Sequence, residues 1–259
     1  MNKVIFPFKV FPYWDPPHIK DPSFWELAEI SVVQANKFYE TVLVCDEYTK
    51  EYFGEKLPFS KVEICNEIGE YKGKSIAIPK ILAMISQKEP YIMLDMDSIL
   101  FQQLPEYPNI AFGFAEVNFT KPFIPIEVLN YAMANYGQKH ELDLVKENVP
   151  KGMGFRYNKI PNCSLVYVPH PEILKEIYTQ ILEDHKDSIE KVSPMMIEQF
   201  LIIQYLYHLD ERFDWVQNDL GYIGSFEKGA YYFHWDKHNG ASSPLLNMLR
   251  ERYMKNPLI

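Results

Sequence analysis

The chain has 259 residues, 47% of them apolar and 24% charged, with a formal net charge of −9. The apolar content supplies a sizeable core and excludes a disordered chain. The acidic balance argues against a nucleic-acid partner, because a phosphate backbone calls for a basic surface; a bound nucleotide stays open, since a metal ion can supply the positive charge.

Three cysteines, Cys45, Cys65 and Cys163, sit in apolar strand-like runs and match no disulfide or zinc spacing. They are expected as buried free thiols, which fits a reducing compartment. The opening MNKVIFPFKVFPYWDPP is broken by prolines and lacks the apolar region and cleavage site of a signal peptide. No apolar run reaches the roughly 18 residues that span a bilayer. The expectation is a soluble cytoplasmic protein, able to work beside a membrane. Tyr and Phe dominate an aromatic content of 15%. Most of these rings belong to a core, but Tyr and Trp also offer flat faces to the C–H faces of sugars.

In chain order, KVIFPFKV reads as a strand. Ser23 and Glu26 form a capping-box pattern ahead of a helix running to about Tyr39. TVLVCDE is a short buried strand without alternation, EYTKEYFG a short helix, and KVEICN a third strand. Pro79 opens the next helix, with Ile81, Leu82 and Ile85 as its apolar face. YIMLDMD is the fourth strand. This alternation predicts an α/β fold with a mostly parallel, twisted sheet and helices on both faces. NIAFGFAEV is a fifth strand. Residues 118–160 are irregular and suit loops or a small lobe. CSLVYVP is a further strand, followed by a helix opened at Pro171 with Leu174, Ile177, Tyr178 and Ile181 on one face. Ser193 and Pro194 look like the N-cap and first residue of a helix to about Leu209. The tail, GYIGSFEKGAYYFHWDKHNG, reads as a strand and a loop, with a small C-terminal extension beyond. No repeat or low-complexity linker divides the chain, so one domain over 1–259 is expected.

The stretch YIMLDMDSIL ends an apolar strand in two carboxylates, Asp95 and Asp97. Residues i and i+2 on a strand share a face, roughly 6.6 Å apart. Two facing carboxylates repel unless a cation sits between them. Hard cations such as Mg²⁺ and Mn²⁺ take oxygen ligands and leave room for phosphate oxygens. Ligands of open α/β sheets bind at the carboxyl ends of the strands. A nucleotide diphosphate held through such an ion fits this pattern; the bland alternative is turn chemistry, with Asp as a cap.

Taken together, KILAMISQKEPYIMLDMDSIL, PNCSLVYVP, SPMMIEQFL and FHWDKHNG resemble the GT-A nucleotide-sugar glycosyltransferases. Their order looks like the glycogenin and galactosyltransferase-like branch. The resemblance implies transfer of a sugar from a UDP- or GDP-sugar donor to a carbohydrate or glycoconjugate acceptor, with Mn²⁺ or Mg²⁺ on the diphosphate. It implies a nucleotide-binding half over about 1–100 and an acceptor half over about 101–259. It implies a late histidine as third ligand to the metal at Asp95 and Asp97; His234, fixed by the apolar AYYF before it, is favoured over His238 in the following loop, since a preorganised ligand loses less entropy on binding. Lys80, Trp235 and Asp236 would line the donor pocket. Asn162 would bond a sugar hydroxyl, and Glu198 would act as base or acceptor ligand. Two features depart from the branch. Ser164 stands where it has glycine after Asn-x, and its H-x-x-G-x-x-K-P-W ending is absent.

Two rivals use the same residues. LDMDSIL also looks like the first motif of haloacid-dehalogenase-type phosphatases, with Asp95 as nucleophile and Asp97 as acid/base. Such an enzyme needs a later acidic pair, for which Asp210 and Asp214 are poor substitutes. The other rival is a non-catalytic sugar- or nucleotide-binding protein.

Overall fold

The computed structural model describes residues 1–11, 22–53, 56–118, 159–187, 189–191, 196–209, 211–216, 232–234 and 251. The first half alternates as its sequence predicts. Strand β1 (Lys3–Pro7) is followed by helix α1 (Pro22–Ala35), β2 (Glu40–Cys45), α2 (Glu47–Phe53) and β3 (Lys61–Ile64). Then come α3 (Asn66–Glu70), α4 (Ala77–Ile85) and β4 (Tyr91–Leu94). Helix α1 already begins at Pro22, so Ser23 lies inside its first turn instead of capping it. Helix α4 begins two residues before Pro79 and is buried well beyond the expected face, with Ile78, Lys80, Ile81, Ala83 and Met84 all buried. The second half carries β5 (Ser98–Leu100), β6 (Ile110–Asn118), β7 (Lys159–Val168) and α5 (Pro171–Asp184). A π-helical segment, Met196–Leu201, leads into α6 (Ile202–His208), followed by β8 (Phe213–Trp215) and β9 (Tyr232–His234).

Among the described residues, seven strands form one sheet in the order β3-β2-β1-β4-β7-β6-β8. Four of its six pairings are parallel, and β7 runs antiparallel to both neighbours, β4 and β6. Successive side chains of a strand point to opposite faces, so each strand feeds two cores. Ile5, Val42 and Val44 meet α4, α5 and α6 on one face. Val4, Phe6, Leu43 and Cys45 meet α1 and α2 on the other. Helices therefore cover both faces, as a parallel sheet requires. The chain winds outward from β1 through β2 to β3, then returns to β4 on the opposite side of β1. The carboxyl ends of β1 and β4 thus flank the point where the winding reverses, the usual crevice for a ligand in such sheets.

The pairing of β6 with β7 is irregular. Its register runs from Phe112↔Val166 to Phe114↔Asn162, so β7 carries two extra residues there. Val166 and Val168 pack in the α4–α6 core, Leu165 and Tyr167 in the other. Strict alternation would send Cys163 to the α1–α2 side. It lies instead in the α4–α6 core, so the phase of β7 reverses within the irregular stretch, as that of β6 does between Phe112 and Phe114. The three cysteines are buried and free. Among the described residues no helix is long and apolar enough to cross a membrane.

Candidate active site

The site grows out of the carboxyl end of β4. Pairing with β7 carries one residue past the strand, where the Asp95 N–H donates to the Ser164 carbonyl at 2.8 Å. The chain then turns, and the Ser98 N–H donates back to the Asp95 carbonyl at 3.0 Å. Asp95 and Asp97 thus sit on a tight turn between β4 and β5, each half-buried. Part of the turn-chemistry alternative is therefore real: Asp95 closes this turn, through its backbone.

The Asp95 carboxylate meets a buried cation. Lys80 extends from α4 with a side chain only 10% exposed. Its Nζ stands 2.8 Å from Asp95 Oδ1, 2.8 Å from Glu198 Oε2 and 2.9 Å from the Cys163 carbonyl. An ammonium has three protons, and these three acceptors match them. Burial alone would lower the Lys80 pKa, but Asp95 and Glu198 outweigh it and hold the ammonium above its usual range. Burial pushes the Glu198 carboxyl up, and Asp95 adds to that push while Lys80 opposes it. Two carboxylates thus share one ammonium, and the buried cluster carries a net negative charge when both are ionised.

Glu198 belongs to the π-helical segment. Such turns are rare and recur at functional sites. Its Oε1 stays outside the ion pair with Lys80. In β7, Asn162 is buried and its Oδ1 accepts from the Ser164 N–H at 3.0 Å and from the Ser164 hydroxyl. The side-chain carbonyl of Asn162 is therefore engaged within its own strand, by Ser164.

Strand β9 pairs antiparallel with β5 and sets His234 opposite Ser98, one residue past Asp97. The backbone therefore brings this histidine beside the aspartate turn. Trp235, Asp236 and His238 lie outside the described residues, as does Asp210. Asp214 sits in β8, separated from β4 by β7 and β6, and accepts from the Asn109 side-chain amide at 3.1 Å. It does not join Asp95.

Carboxylate oxygens from Asp95 and Asp97 are the donor set a hard divalent cation takes. Mg²⁺ in particular is commonly held by one or two carboxylates plus substrate phosphates. The salt bridge to Lys80 is made through Asp95 Oδ1. No group of three or more His, Cys, Asp or Glu that could hold a metal occurs among the described residues.

A second polar cluster lies along the same sheet edge. Asp46, following β2, accepts from the Thr49 N–H at 2.8 Å in the first turn of α2 and pairs with Lys9 at 3.0 Å. Lys9 also donates to the Ile68 carbonyl. Neither residue stands out in the sequence, because a Lys and an Asp 37 positions apart show no pattern.

Residues 22–111 match a family described only as a family of unknown function, DUF6734. No curated protein matches the chain. Among solved structures, the chain is similar to the glycosyltransferase GlyE of Streptococcus pneumoniae TIGR4 in its apo form, at 12% identity and a TM-score of 0.45. That likeness covers 96% of this chain but only 59% of GlyE. It is similar to the inositol-1-phosphate CTP transferase of T. maritima, at 13% identity and a TM-score of 0.46, over 97% of each chain. It is also similar to the galactosyltransferase LgtC in complex with donor and acceptor sugar analogs. That match has 8% identity and a TM-score of 0.46, over 98% of this chain and 95% of LgtC. At these identities and scores the likenesses concern the path of the chain and say nothing of its chemistry.

Proposed function

We propose that the chain is a metal-dependent glycosyltransferase of the GT-A type, of the glycogenin and galactosyltransferase-like branch. It would move a sugar from a UDP- or GDP-sugar to a hydroxyl of a carbohydrate or glycoconjugate acceptor. The observation that carries this reading is the Lys80–Asp95–Glu198 cluster, placed where the winding of the sheet reverses. A lysine desolvated against two carboxylates in a ligand crevice supports this reading, because buried charges with shifted pKa values cluster at functional sites.

Asp95 and Asp97 would hold Mn²⁺ or Mg²⁺, with His234 as third ligand. When bound, the ion supplies positive charge against the diphosphate of the donor. The chain's own residues do the rest. Lys80 would keep Asp95 from turning away and hold the Glu198 carboxylate beside it. Glu198 would accept a hydrogen bond from a sugar hydroxyl through Oε1, fixing the sugar before transfer. Catalysis would then be mainly positioning and electrostatics, with Trp235 and Asp236 proposed to contact the donor.

The test is donor consumption. UDP- and GDP-sugars are incubated with the protein and Mn²⁺, and released nucleoside diphosphate is measured. Release from at least one sugar that stops on chelation supports the reading; release from none sinks it. Formation of an aspartyl-phosphate mimic with beryllium fluoride would favour the phosphatase rival instead.

A further inference from the structure

We propose that Cys163 is the positioning residue of this site, holding Glu198 and Lys80 in register with Asp95. The inference rests on the donor-site reading above. Cys163 touches both partners of the Lys80–Glu198 bridge. Its carbonyl accepts from Lys80 Nζ at 2.9 Å, and its thiol donates to the Glu198 carbonyl at 3.1 Å. The next residue, Ser164, holds Asp95 through a backbone bond of 2.8 Å. Two successive residues of β7 thus anchor all three members of the cluster, which come from segments far apart in the chain.

The bulge in β7 explains how one residue reaches both. Regular alternation from Leu165 would point the Cys163 side chain into the α1–α2 core, away from Glu198. The irregular backbone between Asn162 and Val166 turns it over, so that thiol and carbonyl both serve the α4–α6 side. The thiol works on the π-helical segment Met196–Leu201, whose hydrogen bonding departs from the ordinary helical ladder. A donor from outside the helix fixes one of its carbonyls and so the direction of the Glu198 side chain. Cysteine suits the place because it is small, packs as an apolar residue and still donates weakly. Cys163 touches neither substrate nor metal; it acts through Glu198 and Lys80.

The experiment compares Cys163→Ala with Cys163→Ser. The two replacements have nearly the same volume, so they share any packing defect and differ in the donor. In ¹⁵N-labelled protein without nucleotide, exchange of the Lys80 ammonium protons reports how firmly its three acceptors are held. Cys163→Ala is expected to speed that exchange about tenfold, the size of one modest hydrogen bond, and Cys163→Ser to recover most of the loss. In donor consumption, Cys163→Ala should lower kcat about tenfold with KM within about twofold, again with recovery in Cys163→Ser. Unchanged exchange in Cys163→Ala overturns the proposal, as does a Cys163→Ser variant that exchanges as fast as Cys163→Ala. Should Cys163→Ala fail to fold, Cys163→Ser against the natural protein decides: slow exchange upholds the proposal and fast exchange ends it. If exchange moves as stated while the natural protein consumes no nucleotide sugar, the positioning stands and the glycosyl-transfer reading falls.

Discussion

Replacing Lys80 with methionine keeps an unbranched side chain of similar length and removes the charge together with its three N–H donors. Two carboxylates lose their shared counter-ion, Asp95 Oδ1 and Glu198 Oε2, each 2.8 Å from Nζ, and the Cys163 carbonyl loses its donor. Removing one partner of a buried ion pair costs about 3–5 kcal/mol. The Asp95 side chain is 29% exposed against 13% for Glu198, so water screens the Asp95 share and the Glu198 share dominates. The lower end, about 3 kcal/mol at pH 8, is the expected cost. The deficit also has a pH signature. Without Lys80, burial and Asp95 both push the Glu198 carboxyl up, and the opposing pull is gone. A carboxyl whose folded pKa lies above its unfolded value binds a proton on folding. Its contribution to stability is present at low pH and lost as pH rises through the folded pKa. The deficit of Lys80→Met should therefore shrink toward about pH 5. Urea unfolding of both proteins at the two pH values, read as midpoint and slope, measures it. Adding Glu198→Gln to Lys80→Met should restore most of the loss, because the dominant stranded charge is removed. A cost below about 1 kcal/mol at pH 8, or the same cost at both pH values, would refute the reasoning, since an exposed pair is worth no more than that.

His185 follows α5, is 1% exposed, and faces the Tyr205 hydroxyl at 3.3 Å, which itself donates to Asp184 at 2.7 Å. Burial holds its pKa below the usual histidine value, with Asp184 opposing, so stability should be full above about pH 6.5 and fall as pH drops below it. His185→Gln should flatten the difference in urea midpoint between pH 7.5 and pH 5.5; an undiminished slope would assign the acid sensitivity elsewhere. Asp97→Ala should leave the urea midpoint of the metal-free protein unchanged or raise it, by relieving repulsion from Asp95. A strong loss of stability in Asp97→Ala would mark Asp97 as a structural part of the turn.

The parallel half of the fold is legible because TVLVC and YIML are unbroken apolar runs of strand length that alternate with helical patterns, as strands buried on both faces do. The direction of β7 is not, because CSLVYV reads the same whichever way it lies. Strands of three residues, such as Ser98–Leu100, and the five-residue helix Asn66–Glu70 carry too few positions to show a period. Asp95 and Asp97 stand out through their place after an apolar strand. The burial of Lys80 does not, because its partner Glu198 lies 118 residues away and only the packing of α4 against the π-helical segment joins them. Cys163 is hidden for a further reason: strand alternation points it to the wrong core, and the bulge that corrects this leaves no mark in PNCSLVYVP.

The central claim is that the turn at Asp95 and Asp97 holds a nucleoside diphosphate together with a divalent cation. Thermal melting with UDP and with GDP, each with and without Mn²⁺, tests it most directly. A ligand bound only by the folded state at about 100 times its Kd adds roughly 2.7 kcal/mol. For a chain of this size that raises Tm by about 5 °C or more. Such a rise is expected for at least one nucleotide, present only with Mn²⁺ and absent in Asp97→Ala. No rise with either nucleotide, or a rise indifferent to both Mn²⁺ and Asp97, would contradict the claim.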